Sequence, residues 1–161
     1  MNIEFGCGNS PTFPDYKTCD VRDLPGVDFV CPATEIGSKV EKESVDKIFS
    51  RHFFEHLTFA EGELLLDIWK NILKPGGTVE MILPNMALHV YQWITKSDMR
   101  HAKGGFWGWQ RDGLTEVWDV HKSGYDKDTL KVLILDKGYI DYISHAPELD
   151  RHLHVTFRKA L

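Results

Sequence analysis

The sequence is short of cysteine, has no long apolar run and has no cluster of basic residues, and each shortage removes a class of protein. Its three cysteines, Cys7, Cys19 and Cys31, stand about a dozen residues apart without a CxxC pair. Neither a disulfide framework nor a cysteine-based metal centre is expected from that spacing, and no metal is assigned. No stretch approaches the roughly 18 apolar residues of a membrane span. No charged-then-apolar leader precedes the first apolar segment, so a cytoplasmic location and no membrane partner are expected. With a formal net charge of −5 and no Lys/Arg run, a phosphate backbone would meet overall repulsion, and nucleic acid is not an expected partner. Repeats, low-complexity tracts and linkers are absent as well.

What is present reads as one domain over residues 1–161. A hydrophobic content of 42% and a charged content of 27% are those of a soluble chain long enough to bury a core. Short β-forming segments run over residues 2–5, 16–21, 27–31 and 45–50. "FAEGELLLDIWKNILKPGG" then places Leu65, Ile68, Trp69, Ile72 and Leu73 at helical spacing. Thr58 caps its start with Glu61 three residues on, and Lys74-Pro75-Gly76-Gly77 stops it, so Gly76 and Gly77 read as structural. "TVEMILP" is nearly continuous in apolar residues, as a strand buried on both faces should be. "MALHVYQWITKS" reads as a helix, residues 99–121 as irregular, and "DKDTLKVLILDKG" as a helix stopped by Gly138. "YIDYIS" and "HLHVTFRKA" close the chain as strands. The alternation predicts an α/β fold with a mostly parallel sheet. Only residues 6–15, with Pro11 and Pro14, separate the first two strands, too few for a crossover helix, so the first helix is expected to be short or missing.

The segment "NIEFGCGNSP" carries Gly6 and Gly8 where the first strand ends. A glycine loop there lets a ligand approach backbone that any Cβ would block, and ligands of such sheets bind beyond the carboxyl ends of the strands. The second strand ends in Asp20, a carboxylate able to accept from both hydroxyls of a ribose. Asp20 follows Gly8 by twelve residues. A dinucleotide fingerprint wants a third glycine opening a helix and an acid about 20 residues on, and Asn9-Ser10-Pro11 offers neither. A nucleoside without a diphosphate is the better fit.

"EFGCGNSP", "CDV", "SVDKIFSRHFFEHL", "LKPGGTVEMILPN" and "HKSGYDKDTLKVLILDKGY", in this order, resemble class I S-adenosylmethionine-dependent methyltransferases. The likeness is nearest to the methyltransferase-11-like group, whose short members are often linked to glycan or cell-surface biosynthesis, and it covers nearly the whole chain. It implies a Rossmann-like seven-stranded sheet of order 3-2-1-4-5-7-6 with the last strand antiparallel, and S-adenosyl-L-methionine as cofactor. Matched motif by motif, Phe5, Gly6, Cys7 and Gly8 would lie along the methionine part, Asp20 would hold the ribose and Val21 would face the adenine. Ser50, Arg51 and His52 would line the methionine and sulfonium side. Such proteins often carry an acid for the adenine amino group where this chain has Cys31-Pro32-Ala33-Thr34. Adenine recognition then falls to Thr34 or to backbone near Ala33.

Methyl transfer is an in-line displacement, so alignment and exclusion of water are the protein's main tasks. A general base is needed only for a hydroxyl or protonated-amine acceptor, and His52, His56 and His121 are the candidates. At His56 a polar anchor is the preferred alternative; at His52 the two readings are level. Trp93, Trp107, Trp109 and Trp118 fall between the fifth strand and the last helix, the latter three within the glycine-rich insert at about residues 99–122. Trp107 and Trp109 are expected to form a wall for a planar or sugar-like acceptor, and Arg100, Lys103 and Arg111 could hold one phosphate or carboxylate. The implied activity is methyl transfer to a small-molecule or glycan-type acceptor. The alternatives are cofactor binding without catalysis, or a nucleotide-dependent oxidoreductase or epimerase on a related sheet.

Overall fold

The structure is a computed structural model that describes residues 1–110 and 118–161. Seven strands form a single sheet: β1 Asn2–Phe5, β2 Lys17–Asp20, β3 Phe29–Val30, β4 Val45–Arg51, β5 Leu73–Pro84, β6 Tyr139–Ser144 and β7 His152–Lys159. Their order is β3-β2-β1-β4-β5-β7-β6, parallel except for β7, which runs antiparallel to both β5 and β6. This is the topology that the resemblance implies.

The register sorts side chains onto two unlike faces. Ile3, Ile48, Val79 and Phe157 lie in one row and Phe5, Ser50, Met81 and Val155 in the next, all buried at 3% exposure or less. Helix α1 (Phe59–Ile72) lays Leu65, Leu66 and Trp69 on this face, and α4 (Lys127–Asp136) adds Leu130 and Ile134. Both helices begin in capping boxes, Thr58 with Glu61 and Asp126 with Thr129, each worth about 1 kcal/mol. Gly138, in the left-handed region, stops α4.

The opposite face is polar and partly open, which corrects the expectation of a β5 buried on both sides. Glu80 and Ile82 are half-buried between fully buried Val79, Met81 and Leu83. Polar pairs lie on this face: His154 Nε2 is hydrogen-bonded to Glu80 Oε1 at 2.8 Å, and Arg158 pairs with Asp141. Loop residues 6–16 cover its β1 end in place of a first helix. Glu4, 3% exposed, accepts from the backbone N–H of Thr12 and Phe13, and Phe13 stacks on Tyr16 and meets Phe49 edge-on. The carboxylate thus satisfies backbone donors that a helix would have paired internally.

Two helices follow β5. Helix α2 (Met86–Thr95) is capped by buried Asn85, which also donates to the carbonyls of Glu148 and Asp150. Helix α3 (Met99–Trp107) is capped by Asp98 and replaces the irregular segment expected from residue 99 onward. Its glycines serve close packing: a Cβ on Gly105 would lie 2.2 Å from the His89 ring, and one on Gly104 would lie 3.1 Å from Trp109. Tertiary contact here overrides the weak helix propensity of glycine. The rest of the proposed insert, including Arg111, falls partly outside the described residues. Among the described residues, no helix is long and apolar enough to cross a membrane.

Candidate functional site

Two cavities adjoin at the carboxyl ends of the parallel strands. The first, about 550 Å³, opens beside the ends of β1, β2, β3 and β4, where Gly6, Asp20, Cys31 and His52 sit. The second, about 670 Å³, lies between the ends of β4 and β5 and the pair α2–α3. His52, His56 and Asp119 line both.

In the first cavity, Gly6 takes φ +67° and donates to the Cys19 carbonyl at 2.8 Å. A Cβ there would meet Phe53 at 2.6 Å, so the loop passes where only glycine fits. Gly8, at φ +57°, donates its N–H to Asp20 Oδ2 at 3.0 Å. Asp20 is 6% exposed and lies on the cavity wall. Its Oδ1 accepts from the backbone N–H and Nε of Arg22, both at 3.0 Å, and its Oδ2 also accepts from Arg22 Nη2 at 3.1 Å. Burial raises the carboxyl's pKa, but the bonds from Arg22 and Gly8 outweigh it and hold the group below the usual aspartate range. Four lone-pair positions of a carboxylate are thereby all in use. Val21, Ala33 and Thr34 line the same cavity, with Pro32 and Leu57 adding apolar wall.

Other residues named from the sequence sit further back. Phe5 is fully buried against Trp69 and Phe53, and Ser50 is buried in β4. Cys7 is buried beneath the loop, its thiol pushed up in pKa by burial and by the Asp20 charge. None of these, nor Gly8 or Arg51, lines either cavity.

The turn after β4 builds the seam. His52 takes φ +51°, strained for a non-glycine residue, and its N–H bonds the Ile82 carbonyl at 2.8 Å. Phe53 and Phe54 then drive into the core, Phe54 against Trp69 and Tyr125. The 3-10 turn Phe54–His56 leaves Glu55 on the wall of the second cavity and His56 on both. The N–H groups of Lys122 and Ser123 bond the Glu55 carbonyl at 2.8 and 3.2 Å, tying the His121 segment to this turn.

Six of the eight histidines line the second cavity: His52, His56, His89, His101, His121 and His152. Burial pushes His89 down to about 4, and burial likewise lowers His101, His121 and His152. Arg100, Arg151 and Trp109 share the wall, with the Arg100 guanidinium 5.9 Å from the Trp109 ring centre. Trp107 lies elsewhere, packed edge-on against Trp93 and beside Phe106, and lines neither cavity. His89, His101, His152, Arg22, Arg151 and Glu55 were not singled out from the sequence. No local pattern joins them, because they come from separate elements; only the count of eight histidines hinted at a cluster.

No protein-family model matches the chain, and no curated protein matches its sequence. Solved structures do match. A SAM-dependent methyltransferase from Thermotoga maritima superposes with a TM-score of 0.70 at 12% identity, covering 99% of this chain and 81% of that one. The chain has the class I methyltransferase fold. The 1,6-didemethyltoxoflavin-N1-methyltransferase of Burkholderia thailandensis, solved with 1,6-didemethyltoxoflavin and S-adenosylhomocysteine bound, matches at TM-score 0.62 and 15% identity, over 99% of this chain and 71% of that one. A possible exported protein from Bordetella parapertussis matches at TM-score 0.62 and 12% identity, with 99% of this chain spanning 62% of that one.

Proposed function

We propose that the chain transfers a methyl group from S-adenosyl-L-methionine to a small-molecule or glycan-type acceptor. The observation that carries this reading is the pair of cavities meeting at His52, His56 and Asp119, one with Gly6 and the buried Asp20 carboxylate on its wall, the other with an aromatic and cationic wall. The fold shared with SAM-dependent methyltransferases supports it, as does S-adenosylhomocysteine bound in one of them. The narrower methyltransferase-11-like grouping rests on the sequence motifs alone.

The residues present fit the cofactor. Gly6 lets the methionine part approach backbone, Asp20 would offer two acceptors to the ribose once the Arg22 guanidinium swings away, and Val21, Pro32, Ala33 and Thr34 give the adenine a largely apolar seat. When bound, the cofactor supplies a methyl group on a cationic sulfur, ready for in-line attack. The remaining work belongs to the protein. Trp109 offers a face for a ring or sugar, and Arg100 and Arg151 offer charge to one carboxylate or phosphate of the acceptor. His52 borders both cavities, with Nδ1 3.3 Å from Glu55 Oε1. That position, on the border of both cavities, suits His52 to take a proton from a hydroxyl or amine acceptor.

The test is transfer of labelled methyl from S-adenosylmethionine across a panel of sugars, nucleotide-sugars and aromatic acids. Label appearing in such a product supports the reading. Label found only in protein or nucleic acid overturns the acceptor class, and tight S-adenosylhomocysteine binding with no turnover on any acceptor overturns catalysis.

A further inference from the structure

We propose that Glu55, His56 and His121 form a binding site for a first-row divalent metal ion, with zinc the best-matched, open towards the second cavity. Their ligand atoms lie within 4.8 Å of one another, the candidate cluster among the described residues. All three line that cavity.

Glu55 supplies the first argument. It is 2% exposed, and neither carboxylate oxygen accepts a hydrogen bond; His52 Nδ1, 3.3 Å from Oε1, is outside hydrogen-bond geometry. A buried carboxylate with no hydrogen-bond donor is poorly solvated, and a cation between it and the neighbouring imidazoles would supply the missing partner. Such an orphan in an otherwise well-satisfied turn calls for a partner.

The histidines supply the second, independent argument. His56 Nδ1 faces the Val120 carbonyl at 3.1 Å, and His121 Nδ1 faces the Gly105 carbonyl at 2.8 Å. A carbonyl only accepts, so in both neutral rings Nδ1 carries the hydrogen and Nε2 keeps its lone pair. Backbone carbonyls that fix tautomer and ring orientation in this way are the usual outer support of metal-bound histidines. The rings stand 5.1 Å apart and 74° to one another, and the bonds from Lys122 and Ser123 to the Glu55 carbonyl lock the two segments together before any ion arrives.

Two imidazole nitrogens and one carboxylate oxygen form a donor set for zinc, cobalt, manganese or ferrous iron, and not for calcium or magnesium. Metal–ligand bonds of about 2.0–2.2 Å bring tetrahedral ligands to about 3.3 Å from one another, so the three side chains must draw in by about 1 Å. Three protein ligands leave a position free, the mark of a site that takes a substrate atom and not of a closed structural one. Resting on the methyl-transfer reading, that free position selects an acceptor presenting an oxygen ligand, such as a hydroxyl or carboxylate, to the second cavity.

The experiment is titration of chelator-treated full-length protein with zinc and with cobalt, by calorimetry and by visible cobalt absorption. A single ion is expected, with a cobalt band of low-symmetry coordination that zinc abolishes. Glu55→Gln and His121→Ala should each weaken binding by at least the about 10–100-fold that loss of a mere orienting partner brings, whereas His145→Ala, remote from the cluster, should not. X-ray absorption of the wild-type zinc form needs no variant and should show two imidazoles, a carboxylate and no sulfur. No binding at millimolar metal, sulfur in the shell, or affinity unchanged in both ligand variants overturns the site. S-adenosylhomocysteine affinity, read separately, reports on the methyl-transfer reading; its loss leaves the metal result standing, and the reverse holds as well.

Discussion

The Arg22 guanidinium occupies the Asp20 oxygens that the proposed function assigns to a ribose, and replacing Arg22 by Ala would put a magnitude on that competition. Asp20 accepts four hydrogen bonds, from the Gly8 N–H and from the backbone N–H, Nε and Nη2 of Arg22, all between 3.0 and 3.1 Å. A carboxylate has about four lone-pair positions, so a ribose diol gains two acceptors only if the guanidinium swings away. The Arg22 side chain is 35% exposed. Its fork is therefore worth about 1 kcal/mol net, not the larger value of a fully buried pair. Arg22→Ala keeps the two backbone donors and frees two acceptor positions, so S-adenosylhomocysteine should bind up to about fivefold more tightly. Asp20→Ala should weaken it by about 1–3 kcal/mol through lost hydrogen bonds to a charged acceptor. Isothermal titration of both variants, with melting curves to confirm folding, reads the contrast. If Arg22→Ala loses affinity as Asp20→Ala does, the guanidinium contacts the ligand and the reasoning is wrong; if Asp20→Ala binds as tightly as wild type, Asp20 is not in the site.

Trp109→Ala should leave S-adenosylhomocysteine affinity unchanged while methyl transfer falls steeply, since Trp109 lines the second cavity; Trp107→Ala, packed on Trp93 and Phe106, should alter turnover far less, and equal losses in steady-state rate would refute the distinction. Gly6→Ala forces a Cβ into Phe53 at φ +67°; denaturant unfolding should show a loss of about 1–3 kcal/mol, together with weaker cofactor binding because Phe53 lines the same cavity. His89 is 2% exposed with His101 beside it, and burial pushes it down to about 4. Between about pH 6.5 and 4 only the unfolded chain protonates this ring, so its stability contribution is complete above about 6.5 and falls by about 3 kcal/mol as pH drops to 4. His89→Gln should flatten that part of the stability profile, and identical acid slopes in variant and wild type would contradict the account.

Much of the frame could be read from local chemistry. Thr58 and Glu61 announce the start of α1, Gly138 the end of α4, and Pro11 with Pro14 in a short connection announces the missing first helix, because each effect acts within a few residues. The opening "GCG" was legible as a glycine turn for the same reason, and Gly6 lies with Asp20 on the wall of the first cavity. What escaped depends on distant contacts. Helix α3 hides behind Gly104 and Gly105, whose value appears only when Trp109 and the His89 ring come to rest on them. Arg22 looks like a solvated loop cation until its fork is seen on Asp20. The polar second face of the sheet was masked by Ile82, whose apolar side chain made β5 look buried on both sides. The histidine-lined cavity draws on α2, α3, β7 and the turns after β4 and before α4, and nothing in sequence spacing joins them.

Titration of the purified protein with S-adenosylhomocysteine, and in parallel with NAD, tests the central claim most directly. The account predicts saturable S-adenosylhomocysteine binding that depends on Asp20, and no comparable binding of NAD, whose diphosphate finds no helix N-terminus after Gly8. Binding of NAD in place of S-adenosylhomocysteine, or of neither at millimolar concentration, would contradict it.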